Sequence, residues 1–306
     1  MPPLPPRFPL LVLVLIPLAA CRSNAPREPA PIGKPEPYVP LPDEPPETIG
    51  FFLTRFDRNL QQWSQLKLEL ASLRDQSALE ALEANMQKRS RERRDDLIQE
   101  LETGAPVNRR IAAAALGFTH DPTVLGSLLA TLSDRDPELV QKALLGIGVL
   151  ALPETPTGDL LRCLRDPDAW TRNNAAFALL ALARAGNDSP ELAEGCRQAL
   201  VDSEPGVRAQ CASALGELAD PATIEPLSHL LEDEASLVSL AGAAALANIG
   251  RHHPEQKGTV ARLLAQAFDR APAERQVQFH GALRWLSEKE LGPEASAWLE
   301  WAARLP

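Results

Sequence analysis

The stretch Asp202–Asp233, DSEPGVRAQCASALGELADPATIEPLSHLLED, is the unit that most of the chain copies. Asp202 and Ser203 are residue types that cap a helix N-terminus, and Pro205 suits a first helical turn. Val207, Cys211, Ala214, Leu215 and Leu218 then recur in steps that lay one apolar face along a short helix. Gly216 and the pair Asp220-Pro221 end that helix, and Ile224, Leu227, Leu230 and Leu231 form a second apolar stripe that stops at Asp233. Two short helices joined by a tight turn make one layer.

Aligning each leading Asp brings a small residue to the position twelve further on, where two helices approach closely: Ala115, Gly146, Ala178, Ala214, Ala245 and Gly281. The layers start at Thr103, which replaces the Asp, and then at Asp134, Asp166, Asp202, Asp233 and Asp269. Such a short helix pair cannot bury both of its faces, so the next pair must cover the apolar one. The spacing predicts an all-α fold, an α-solenoid of about six helix pairs. Positions two and six before each Asp should face the core: Leu132 and Leu128, Leu164 and Leu160, Leu200 and Cys196, Leu231 and Leu227.

The run Asp202-x-x-x-x-Val207-Arg208-x-x-Cys211-x-x-Ala214-Leu215-Gly216, followed by Asp220-Pro221 and a Leu-rich helix, resembles the short HEAT-like repeats of the bilin-lyase type, also called armadillo-like. The resemblance covers residues 103–306. It implies a polar ladder between layers, built from the Asp and the Arg six residues later. Asp166/Arg172, Asp202/Arg208 and Asp269/Arg275 match it, whereas Val140 and Ser239 stand where the Arg should follow Asp134 and Asp233. It also implies that second helices line the concave side of the stack and first helices its convex back.

Residues 1–20 carry one basic residue, Arg7, then the apolar run Leu10–Ile16 and Leu18-Ala19-Ala20, followed by Cys21. This reads as an export signal, too short to span a bilayer. Leu18-Ala19-Ala20-Cys21 looks like a bacterial lipobox, which would make Cys21 the lipidated first residue of a lipoprotein; ordinary cleavage after Ala20 is the plainer alternative. Several acyl chains on one residue, palmitate among them, would hold it stably on a membrane. Residues 21–50 form a Pro-rich tether, with nine prolines between Arg22 and Thr48. Stretched as polyproline II it would reach roughly 80 Å at about 3.1 Å per residue. The expected location is the cell envelope, anchored by lipid and facing the periplasm.

Residues 51–101 are helical but follow a different pattern. Phe56, Leu60, Trp63, Leu66, Leu70 and Leu73 mark one amphipathic helix, and Ser77 with Glu80 makes a capping box for a second that runs to about Leu101. This N-terminal pair either caps the array, residues 102–306, or dimerises as a coiled coil. The basic run Lys88–Arg94 is interleaved with Glu92 and followed by Asp95 and Asp96, so a solvated helix face is expected. Residues 101–306 hold 18 basic and 27 acidic side chains, which argues against nucleic acid as a partner.

Catalytic signals are sparse. His120, His229, His252, His253 and His280 stand at no metalloprotease, zinc-finger or triad spacing, and His252-His253 reads as part of an interhelical loop. A di-iron hydroxylase subgroup of HEAT-like proteins uses His-Glu dipeptides as ligands, and none occurs here. Cys163, Cys196 and Cys211 read as small buried hydrophobes, with a Cys196–Cys211 bridge left open. No cofactor, metal or small-molecule substrate is expected. The resemblance alone carries an enzymatic alternative of the bilin-lyase kind. The favoured reading is a non-catalytic scaffold that binds an unidentified envelope protein.

Helical register locates its candidate surface. Positions four and eight before each Asp point away from the core: Ala130 and Gly126, Arg162 and Gly158, Gln198 and Glu194, His229 and Glu225. Arg162, Glu194, Gln198, Glu225 and His229 are the polar candidates for partner binding, and the acid among them favours a basic or polar protein surface.

Overall fold

The computed structural model describes residues 47–69 and 73–306, so the readings of the export signal, of Cys21 and of most of the tether lie outside the described residues, as does Leu70. Every regular element among the described residues is helical. Three helices come first: α1 (Ile49–Glu69), α2 (Leu73–Glu92) and α3 (Arg94–Thr103). Six pairs follow, α4 (Pro106–Gly117) with α5 (Leu125–Thr131), α6 (Pro137–Leu150) with α7 (Gly158–Cys163), and α8 (Ala169–Ala185) with α9 (Pro190–Gln198). The remaining pairs are α10 (Pro205–Leu218) with α11 (Ile224–His229), α12 (Ser236–His252) with α13 (Lys257–Arg270), and α14 (Ala273–Ser287) with α15 (Ala295–Ala303).

The leading Asp does a different job from the cap that its residue type predicts. Asp134, Asp166, Asp202 and Asp233 accept the backbone N–H two residues further on, at 2.9, 2.8, 2.8 and 2.9 Å. Each closes an Asx turn that feeds the helix, and the N-cap position falls at that second residue: Asp136, Asp168, Glu204 and Ala235. Asp202 and Ser203 therefore precede the cap of α10. Gly216 does not end α10 either; it is buried inside the helix, where an added Cβ would lie 2.7 Å from Ala245 Cα. The helix stops at Ala219, in the left-handed region at φ 52°.

Successive first helices, α4, α6, α8, α10 and α12, pack side by side through the small residues. Ala115, Gly146, Ala178, Ala214 and Ala245 are buried there, and a Cβ on Gly146 would come 2.5 Å from Ala113 O. Gly281 departs from the expectation: it is exposed, with nothing within 4 Å of where its Cβ would be. The earlier first helices begin three residues after the leading position, but α14 begins four after Asp269. One residue is about 100° of helix, so Gly281 turns outward and the buried Ala282 takes the seam.

Residues 51–101 form parts of three helices where a pair was expected. Helix α2 already runs from Leu73, so Ser77 lies inside it rather than at its start, and Arg93 interrupts the helix before α3. The apolar stripe of α1 is covered within the chain: Phe52, Phe56, Leu60 and Trp63 are buried, and α1 packs on α2 and α4. Phe118, at the end of α4, meets the Phe56 and Trp63 rings edge-on at 5.5 and 5.6 Å. Trp63 keeps its indole N–H satisfied by donating it to Glu83 at 2.8 Å.

Candidate functional site

An arginine ladder fixes the spacing of the layers and thereby of everything on their surface. Each Arg reaches forward to the leading Asp of the next layer: Arg109 to Asp134 at 2.8 Å, Arg172 to both oxygens of Asp202 at 2.8 and 3.0 Å, and Arg208 to both of Asp233 at 2.9 and 2.8 Å. Arg172 and Arg208 also donate back to the carbonyls of Asp166 and Asp202, at 3.0 and 2.8 Å. One side chain thus ties the start of its own layer to the next. Burial disfavours charge on Asp202, yet the Arg172 guanidinium and the Glu204 N–H outweigh it and hold the carboxyl below its usual range. Arg208 does the same for Asp233.

Because the ladder runs forward, the substituted positions break it one layer later than the leading Asp implies. Asp134 and Asp233 keep their rungs, while Asp166 and Asp269 have no ion pair among the described residues. Arg275 does not pair with Asp269; it turns back to donate to Ser239 Oγ at 2.8 Å and to the Asp233 carbonyl. Arg109 escaped the sequence reading because its layer starts with Thr103, although it holds the same sixth position.

The second helices carry the candidate surface. Leu128, Leu132, Leu160, Leu164, Cys196, Leu200, Leu227 and Leu231 are all buried, as register requires. Their eight counterparts are all exposed, including Arg162, Glu194, Gln198, Glu225 and His229. Their roles differ. Arg162 is tied to the preceding layer, donating to Leu132 O at 3.1 Å beside its pair with Asp159 at 3.2 Å. Glu194 pairs with Arg197 at 2.6 Å and accepts from Gln198 at 2.6 Å. The Arg197 guanidinium, with Gln198, holds the Glu194 carboxyl below its usual range. Glu225 and His229 have no ion pair among the described residues.

Between α9 and α11 lies an open groove of about 770 Å³ that Glu194, Glu225 and His229 line together. Arg162 and Gln198 stand outside it; Gln198 borders a smaller hollow of about 270 Å³ between α7 and α9, where Arg165 donates to it at 3.0 Å. Register reasoning missed the groove's exposed aliphatic side chain, Val201, and also its third acid, Asp220. Val201 is 88% exposed. A signal for it was present: the residue before the leading Asp is Ser133, Arg165 and Glu232 in neighbouring layers, and only here an aliphatic side chain.

The basic run forms internal ties where a solvated face was expected. Arg89 pairs with Glu47, Arg91 donates to Thr119 O at 2.8 Å, and Arg94 pairs with Asp121 at 2.8 Å. The bond from Arg94, with those from Thr123, lowers the Asp121 carboxyl to about 2. The first helices also expose apolar side chains, Val107, Trp170, Leu237, Leu240, Val277 and Trp285, the last with the Arg251 guanidinium 4.2 Å from its ring. Cys163, Cys196 and Cys211 are free thiols and buried. A hydrogen bond with Cys196 and burial raise the Cys211 thiol well above its ordinary value. His252 lies in the last turn of α12 and His253 follows it. Among the described residues no group of three His, Cys, Asp or Glu side chains is placed to hold a metal ion.

A family model described as HEAT repeats matches residues 94–181, 159–247 and 193–277. None of the curated proteins compared with the chain matches it. Among solved structures, an engineered protein is 20% identical over 63% of this chain and 96% of its own, with a TM-score of 0.51. A designed armadillo repeat protein is also 20% identical, over 63% of this chain and 99% of its own, with a TM-score of 0.50. At that identity the likeness is one of fold.

Proposed function

The chain belongs to the HEAT-repeat family, and from that premise we propose that it is a non-catalytic scaffold whose second-helix face binds another protein of the cell envelope. The observation that carries this reading is the α9–α11 groove, in which acidic side chains stand around Val201, an aliphatic side chain left open to solvent. Repeat solenoids present such surfaces across successive layers. Among the described residues no helix is long and apolar enough to cross a membrane. The proposal places lipid on Cys21, at the end of the Leu18-Ala19-Ala20 box, with the Pro-rich stretch as a stand-off tether toward the periplasm.

Two experiments test the reading. Pull-down from the native envelope should recover a partner with wild type, and lose it when Arg162→Glu and Glu225→Lys are combined in a chain that remains folded. Partner retention by that double variant, together with loss on Leu240→Asp or Val277→Asp, would move the interface to the first helices. For the anchor, wild type should incorporate labelled palmitate and Cys21→Ala should not; equal labelling and equal membrane retention would remove it.

A further inference from the structure

We infer that the α9–α11 groove takes a short extended segment of the partner that carries cationic side chains next to apolar ones; this rests on the reading of the second-helix face as the partner surface. Size sets the first limit, since about 770 Å³ is the volume of a site for a drug-sized guest and admits a few side chains of a larger partner. The groove is also open to solvent.

Charge selects among possible guests. Glu225 has no ion pair among the described residues, and Asp220 uses its carboxylate to accept the Ala222 N–H at 2.9 Å, with no cation beside it. The groove's arginine, Arg197, is already engaged with Glu194 through three hydrogen bonds of 2.6 to 2.9 Å. His229 adds a further cation only when protonated. An arriving lysine or arginine therefore meets two carboxylates that have no ion pair among the described residues, whereas an arriving carboxylate meets the same two as repulsion.

The apolar component comes from Val201, which is 88% exposed with Leu200 and Leu230 beside it on the groove wall. An aliphatic side chain laid on Val201 would remove that surface from water without stripping hydration from a polar group of its own, as a polar guest must. Val201 also borders the hollow between α7 and α9, so a segment lying over it continues across the α9 layer. The expected guest thus alternates charge and hydrophobe in extended form.

The test uses fluorescein-labelled ten-residue peptides and the purified full-length protein, read by fluorescence anisotropy. One peptide alternates lysine with leucine, a second glutamate with leucine, and a third lysine with serine. The lysine–leucine peptide should bind, with the other two weaker by about tenfold or more at ~0.1 M salt. Glu225→Lys and Val201→Ser, both at exposed positions, should each weaken it by about fivefold or more, and Leu240→Ser on the first helices should leave it unchanged. Equal binding of the glutamate–leucine peptide, or indifference of the lysine–leucine peptide to both groove substitutions, overturns the inference. The underlying reading is judged separately: it stands if the Arg162→Glu, Glu225→Lys chain still loses its envelope partner, and falls if that partner is retained.

Discussion

Arg208 joins two layers with one guanidinium, bonded to the Asp202 carbonyl behind it and to both oxygens of Asp233 ahead. Its side chain is 15% exposed and that of Asp233 12%, so water replaces these bonds poorly. Arg208→Ala strands a largely buried carboxylate and should cost about 2 kcal/mol in urea unfolding at neutral pH. A melt unchanged beside lost partner binding would instead make Arg208 a contact residue. Acid should erase the difference. Asp202, Asp233 and Asp121 are held below 3.8, Asp121 at about 2, so their stabilisation is complete above the unfolded value and disappears as pH falls through the lowered ones. Wild-type stability should therefore drop between about pH 4 and pH 2, and the gap to Arg208→Ala should narrow over the same interval. The pairing of Asp and Arg was expected from the resemblance to HEAT-like repeats, whose ladder the spacing of six residues matches. Its direction was not, since the bonds run 25 to 30 residues forward and register carries no information on which neighbour a side chain reaches.

At the scale of helices, close packing depends on where one residue falls around the axis. Gly146→Ala places a methyl 2.5 Å from Ala113 O, a backbone atom that cannot move alone, and should destabilise by about 1–3 kcal/mol. Ala214→Leu, in the same seam, should cost a similar ~1–3 kcal/mol. Gly281→Ala meets nothing within 4 Å and should gain up to about 1 kcal/mol from helix propensity. Thermal melts of these variants check the register directly: destabilisation by Gly281→Ala matching that of Gly146→Ala would restore Gly281 to the seam. The layers themselves were readable because small and large apolar residues recur at fixed offsets. The extra residue before α14 was not, since Asp269-Arg270-Ala271-Pro272 gives no sign that the helix starts at Ala273. Near the N-terminus, Ser77 and Glu80 have the composition of a capping box, but the helix was already under way four residues earlier. The basic run looked solvated because its partners Glu47 and Asp121 lie far from it in sequence.

For the whole described unit, residues 47–306, the layers stack in chain order and the three leading helices close one end on Phe118. A compact globule of that length would have a radius of gyration of about 18 Å, whereas six layers stacked at 8–10 Å should give roughly 22 Å or more by small-angle scattering. A value at the lower figure would contradict an extended stack. The exposed strip was legible across the layers because helix periodicity separates inward from outward positions. The groove was not, because its shape depends on how far α9 and α11 stand apart and on Val201 turning outward between them. The second-helix face is proposed to hold the partner. Backbone hydrogen exchange of the protein, with and without the partner recovered by pull-down, reads that contact helix by helix. The predicted result is added protection confined to α7, α9, α11 and the turns beside them, with α12 and α14 unchanged; protection on α12 and α14, or on residues 49–103, with α9 and α11 unaffected, would contradict it.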